Sequence, residues 1–137
     1  MSDPRAFVSF DFDHDETSKN LFVGQAKSES PTPFTVEDWS SKSALPESTW
    51  EKIIKAKINR CHLMIVLVGR YMGSATGVAK EIQFANEGDV PFFGVYVDGA
   101  GTSSTLPRGL ARNRTIPWTW PGIAKAIDQM MQEGKNR

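Results

Sequence analysis

Apolar runs suited to buried strands alternate along the chain with stretches whose apolar residues recur at helical spacing. Ala6-Phe7-Val8-Ser9-Phe10 is the first run. Asp13 and Glu16 then stand three apart, the spacing of a capping box, which predicts a helix that carries Leu21, Phe22 and Ala26 inward. Beyond the turn-rich stretch 28–33, Phe34-Thr35-Val36 reads as a short second strand, and Glu37-Asp38-Trp39 opens a polar loop. Ser48 and Glu51 form a second box ahead of Trp50, Ile53, Ile54, Ile58 and Cys61, one stripe of a second helix. His62-Leu63-Met64-Ile65-Val66-Leu67-Val68 is almost continuously hydrophobic, the mark of a strand covered on both faces at the centre of a parallel sheet.

Gly69 ends that strand, and a loop with Gly73 and Gly77 leads to a helix over 78–86 that Gly88 closes. The run from Val90 to Val97 is another buried strand, with Pro91 tolerated at its start. The glycine- and serine-rich segment from Asp98 to Ser104 is too polar to pack and is expected to be mobile. Arg114-Thr115-Ile116-Pro117 reads as a short edge strand, and a last helix from near Thr119 places Pro121 in its first turn and buries Ile123, Ile127, Met130 and Met131. This order predicts one domain over 1–137: an α/β, flavodoxin-like three-layer sandwich around a parallel sheet of order 2-1-3-4-5.

In such sheets ligands lie at the carboxyl ends of the strands, where the strand order reverses. The rule selects Ser9, Phe10 and Asp11 after the first strand, Asp38 and Trp39 after the second, the stretch 69–77 beginning at Gly69 after the third, and Asp98 after the fourth. Composition narrows what that rim can hold. Sixteen basic and sixteen acidic residues leave the 137-residue chain with zero formal charge, which removes the long-range attraction that nucleic acid or an anionic membrane needs. Cys61 stands alone, without a partner for a disulfide or a structural zinc site. The opening Met-Ser-Asp-Pro-Arg lacks the apolar core of a signal peptide, and Leu63 to Val68 is too short to span a bilayer, so a cytoplasmic location is expected.

Familiar occupants of the rim leave identifiable residues. Neither a phosphate-cradling run ending in Gly-Lys-Ser/Thr nor a G-x-G-x-x-G after a strand occurs. Receiver chemistry needs an aspartate after the third strand, where this chain has Val68-Gly69-Arg70, so no metal site is expected. His62 reads as a partly buried residue satisfied by backbone, His14 as a surface cap, and Cys61 as a small core residue. Glu81 falls in the first turns of the helix after the central strand, beside a hollow roofed by Phe10 and Trp39; spacing alone also allows a solvated glutamate near a helix N-terminus.

Two segments carry a resemblance. RAFVSFDFDHD, from Arg5 to Asp15, resembles the opening strand and loop of TIR-like domains, in particular the bacterial branch found in Thoeris antiphage defence. HLMIVLVGRYMGSATGVAKEIQFANEGDVPFFGVYVDG resembles that family's third strand, glutamate-bearing helix and fourth strand. The resemblance implies NAD as substrate rather than cofactor, cleavage of its nicotinamide-ribose bond, and in some members a cyclic ADP-ribose-derived messenger. It places the catalytic glutamate at Glu81, with Phe10 and Asp11 lining the cleft and Trp39 stacking on a ring; the strand-end rule adds Ser9, Asp38 and Gly69 to the binding residues. Family members often carry Trp or Arg shortly before the glutamate; here Ser74-Ala75-Thr76-Gly77 fills that approach, a departure that bears on substrate orientation. Implied partners are further copies in a homo-oligomer or filament, and an effector protein that senses the product. The alternatives are a non-catalytic adaptor with Trp39, Trp118 and Trp120 as interface anchors, or a nucleotide sensor that binds without cleaving.

Overall fold

A computed structural model describes residues 4–11, 16–29, 34–37, 47–70, 76–97 and 99–133. Strand β1 (Arg5–Ser9), helix α1 (Glu16–Glu29), β2 (Thr35–Glu37), α2 (Glu47–Asn59), β3 (Leu63–Val68), α3 (Thr76–Glu87), β4 (Phe92–Tyr96), β5 (Thr115–Ile116) and α4 (Trp120–Glu133) follow in that order, with a 3₁₀ turn, Arg112–Arg114, before β5. The strands form one sheet, β2-β1-β3-β4-β5, and every pairing is parallel. This is the strand order expected from the sequence, and β3 lies at its centre.

Strand alternation divides the interior into two layers. Phe7, Met64, Val66 and Val68 face α2 and α3, where Trp50, Ile54, Ile58, Val78, Ile82 and Ala85 meet them. Ala6, Val8, Leu63, Ile65 and Leu67 face the other way, against Phe22 and Ala26 of α1 and Ile123, Ile127 and Met130 of α4. Every residue of β3 is buried, as its unbroken apolar run requires. His62 behaves as a backbone partner at the start of this strand: the Arg5 N–H donates to its Nδ1 at 2.8 Å, and its own N–H returns a bond to the Arg5 carbonyl at 2.8 Å.

Several local expectations need correcting. Leu21 points outward at 54% exposure, and the inward stripe of α1 is Lys19, Phe22 and Ala26. Helix α2 begins at Glu47, so Ser48 lies inside its first turn, and Glu51 reaches across to Lys80 of α3 at 2.5 Å rather than back to a cap. Met131 is only partly buried. Helix α3 ends with the Val90 N–H on the Ala85 carbonyl and the Asp89 N–H on that of Asn86, a Schellman pair that puts the left-handed residue at Asp89, φ 55°, not at Gly88. Gly88 is there for closeness: a Cβ on it would stand 2.0 Å from the Asn59 Oδ1 of α2.

The segment 99–104 is not a loose tether. Arg112 donates to the Tyr96 hydroxyl at 3.2 Å and to the Ser104 carbonyl at 2.7 Å, while Ala100 and Leu106 pack on the α2/α3 layer. At the opposite rim, Arg114 donates to the Phe92 carbonyl and pairs with Glu133 at 3.0 Å, tying the start of β4 to the end of α4. That guanidinium holds the Glu133 carboxyl below the usual carboxylate range, with the Gln129 amide adding to the effect. No helix among the described residues is long and apolar enough to cross a membrane.

Val66, fully buried in β3, tests the topology: Val66→Asp is expected to abolish the cooperative thermal transition by leaving a charge in the core. A soluble variant melting like the parent would contradict the assignment. At the end of α3, Asp89→Gly is expected to raise stability by about 0.5–1 kcal/mol in urea unfolding, because glycine adopts the left-handed conformation without strain.

Candidate active site

Four of the five buried polar or charged side chains among the described residues are Ser9, Asp11, Lys19 and Glu81; the fifth is Thr115 on β5. Ser9 and Asp11 stand at the carboxyl end of β1, the reversal point of the sheet. Ser9 shares the parity of Phe7, so its side chain enters the layer under α3. Val78, Glu81, Ile82 and Ala85 recur at helical spacing and form the inward stripe of that helix. The two periodicities meet where the Ser9 hydroxyl donates to Glu81 Oε1 at 2.5 Å.

Glu81 is 8% exposed and Ser9 is fully buried. A buried carboxyl group needs hydrogen bonds in place of its hydration, and the Ser9 hydroxyl supplies a short one. The bond also fixes the side-chain rotamer. The arrangement can therefore present an oriented negative charge to a hydroxyl or a developing cation at the end of the sheet.

The remaining sequence candidates distribute differently. Asp11 is buried two residues beyond Ser9, and Gly69 is buried directly after β3. Phe10 takes the opposite parity and joins the α1/α4 layer, with the Lys19 ammonium 5.3 Å from its ring centroid. The end of β1 thus separates Phe10 from the Ser9–Glu81 pair. Asp38, Trp39, Asp13, His14 and Asp98 lie outside the described residues. Trp118 and Trp120 pack on Phe22, with ring centroids 5.8 and 5.0 Å away, and the Trp120 indole donates to Gln25, so both act as partly buried packing residues.

Lys19 is the member of this rim that sequence reasoning missed. Its signal is its spacing, three residues before Phe22 and seven before Ala26, on the stripe that faces the core. Among the described residues no group of three or more His, Cys, Asp or Glu could hold a metal ion. Two open grooves that described residues line, of about 580 Å³ beside Ala79, Gln83 and Arg108 and about 440 Å³ beside Pro91, Arg114 and Glu133, lie away from Glu81.

The family profile described as Thoeris protein ThsB, TIR-like domain, matches residues 7–102, which contain Ser9, Asp11, Lys19 and Glu81. No curated protein matches in sequence. Among solved structures, a prokaryotic SEFIR domain superposes with a TM-score of 0.52 at 15% identity, covering 95% of this chain and 97% of that one. The TIR domains of the activated Roq1 resistosome, which directly recognises the pathogen effector XopQ, give 0.47 at 14% identity over 95% and 82%. The first of these likenesses speaks for the fold alone.

Ser9→Ala is expected to cost about 1–3 kcal/mol in urea unfolding, because it leaves Glu81 buried with one donor fewer. A cost below about 0.3 kcal/mol would show that the bond does not hold the carboxylate.

Proposed function

This chain belongs to the TIR-like domain family of Thoeris protein ThsB, and from that premise we propose that it cleaves the bond between nicotinamide and ribose in NAD. The observation that carries the reading is the buried Glu81 carboxylate held by the Ser9 hydroxyl at the carboxyl end of the sheet. Position, burial and fixed orientation together suit electrostatic stabilisation of a cation.

Cleavage sends the electron pair of the C1′–N bond to the nicotinamide nitrogen, which leaves as the neutral base, and the ribose passes through an oxocarbenium-like state. Glu81, accepting from the ribose hydroxyls, stabilises that positive charge more than it stabilises bound substrate. The group that next bonds to C1′ decides the product. Water yields ADP-ribose and a proton; a nucleophilic atom of the ADP part instead closes a ring and yields a cyclic ADP-ribose, which contains one water less. In this reading the product is an antiphage messenger made in the cytoplasm and sensed by an effector protein, and assembly into a homo-oligomer or filament completes the substrate cleft. Asp11 and Gly69 border that cleft, and Asp38 and Trp39 are proposed to close it from the β2 side.

Glu81→Gln tests the mechanism, since the amide keeps the shape and loses the charge. It is expected to lower NAD cleavage by at least a few hundredfold, about 3–4 kcal/mol, while the fold and NAD binding persist. Glu87→Gln is the control on the same helix. Glu87 is exposed, and the Gln83 amide and then Lys55, at 3.3 Å, hold its carboxyl below the usual range. Wild-type turnover in Glu81→Gln would contradict the mechanism; a wild type inert in every assembly would favour an adaptor or nucleotide sensor.

A further inference from the structure

We propose that Arg112 is a positioning residue of the nucleotide site: it latches segment 99–106 as a strap that walls the cleft on its α3 side. The inference rests on the NAD reading and concerns how that cleft holds its substrate. One guanidinium supplies the latch. Arg112 donates to the Ser104 carbonyl at 2.7 Å, to the Tyr96 hydroxyl at 3.2 Å and to the Gly101 carbonyl at 3.4 Å, which joins the end of β4 to two points of the strap. Within the strap the Ala100 N–H bonds the Val97 carbonyl at 3.0 Å and the Ser104 N–H bonds the Gly101 carbonyl at 2.9 Å.

Placement indicates the use. Ser9 pairs in register with Val66 and Tyr96 with Val68, so the chain leaves β4 at the carboxyl rim, beyond the level of Ser9 and across β3 from it. Ligands of such sheets lie against the connections at this rim. Ala100 and Leu106 pack on the layer that holds Val78 and Ile82, the residues that flank Glu81 on the inward stripe of α3. Just past the strap, Gly109 lies against Ile82 so closely that a Cβ there would stand 2.8 Å from its Cγ2. The strap is thereby seated on the helix that carries Glu81.

Packing alone holds the strap weakly. Ala100 and Leu106 are only partly buried, and Thr102, Ser103 and Thr105 are exposed. Gly99, at its start, has φ 75°, a left-handed conformation from which glycine can turn without a side-chain clash. A segment with few buried apolar contacts and solvent-exposed hydrogen bonds opens locally at much lower cost than the whole fold. While Arg112 holds it closed, the wall is preformed and a nucleotide need not order it; once released, it must be ordered at every binding event. The latch therefore acts on substrate affinity, whereas Glu81 acts on the chemical step.

Arg112→Met, which keeps an apolar stem and loses every donor, tests the assignment on the full chain by amide exchange and by the kinetics of nicotinamide release. Exchange at Ala100 and Ser104 is expected to quicken about tenfold or more, and KM for NAD to rise about fivefold or more while kcat changes by less than about twofold. Arg112→Lys is expected to fall between wild type and Arg112→Met. A variant that had merely lost stability would instead lower kcat through its active fraction and keep the wild-type KM. Unchanged exchange or an unchanged KM in Arg112→Met overturns the proposal and leaves the NAD reading standing; a wild type that cleaves NAD in no assembly overturns both. Should Arg112→Met fail to fold, Tyr96→Phe, which removes one acceptor of the latch, decides: KM raised about twofold or more with kcat kept supports it, and an unchanged KM overturns it.

Discussion

A carboxylate taken out of water needs hydrogen bonds in place of its hydration, and in this protein the Ser9 hydroxyl supplies one to Glu81 at 2.5 Å. That contact requires two registers at once. Ser9 faces α3 because β1 alternates from Phe7, and a one-residue slip of the strand would turn it to the α1 side. Glu81 faces β1 because it shares a helical stripe with Val78, Ile82 and Ala85. The rotation of α3 is in turn held by α2, through the Lys80–Glu51 pair and the close approach of Gly88 to Asn59. Core packing thus determines the position of one charged group at the rim.

Much of this architecture was legible because it follows from periodicity. The unbroken run of β3 could only be a doubly covered strand, and the alternation of runs and stripes implied the observed strand order. Helix α1 was harder. Leu21 is the more hydrophobic residue, so a reading by hydrophobicity turned it inward, yet helical spacing from Phe22 and Ala26 selects Lys19. The error hid a charged residue of the rim. Position at the rim puts Phe10, just after β1, in the same hollow as Glu81 in the first turns of α3, but alternation sends Phe10 to the opposite layer. The segment 99–104 looked loose because it is rich in glycine and serine; the group that orders it, Arg112, is distant in sequence and carries no local signal. Asp89 shows the same limit, since a left-handed C-cap was credited to the adjacent glycine.

A parallel sheet with this strand order hosts many activities, so fold alone leaves the choice between enzyme and adaptor open. Family membership covers both roles. Buried charges of both signs gathered at one end of a sheet cost stability and do nothing for packing. Of the three tryptophans that an adaptor would use as anchors, Trp118 and Trp120 are partly buried and pack on Phe22.

The most direct measurement is chromatographic analysis of the products after NAD is incubated with concentrated wild-type protein. The account requires nicotinamide to appear in step with loss of NAD, with an equal amount of ADP-ribose or of its cyclised form, which contains one water less. Unchanged NAD in the presence of the assembled protein, with no nicotinamide released, would contradict it.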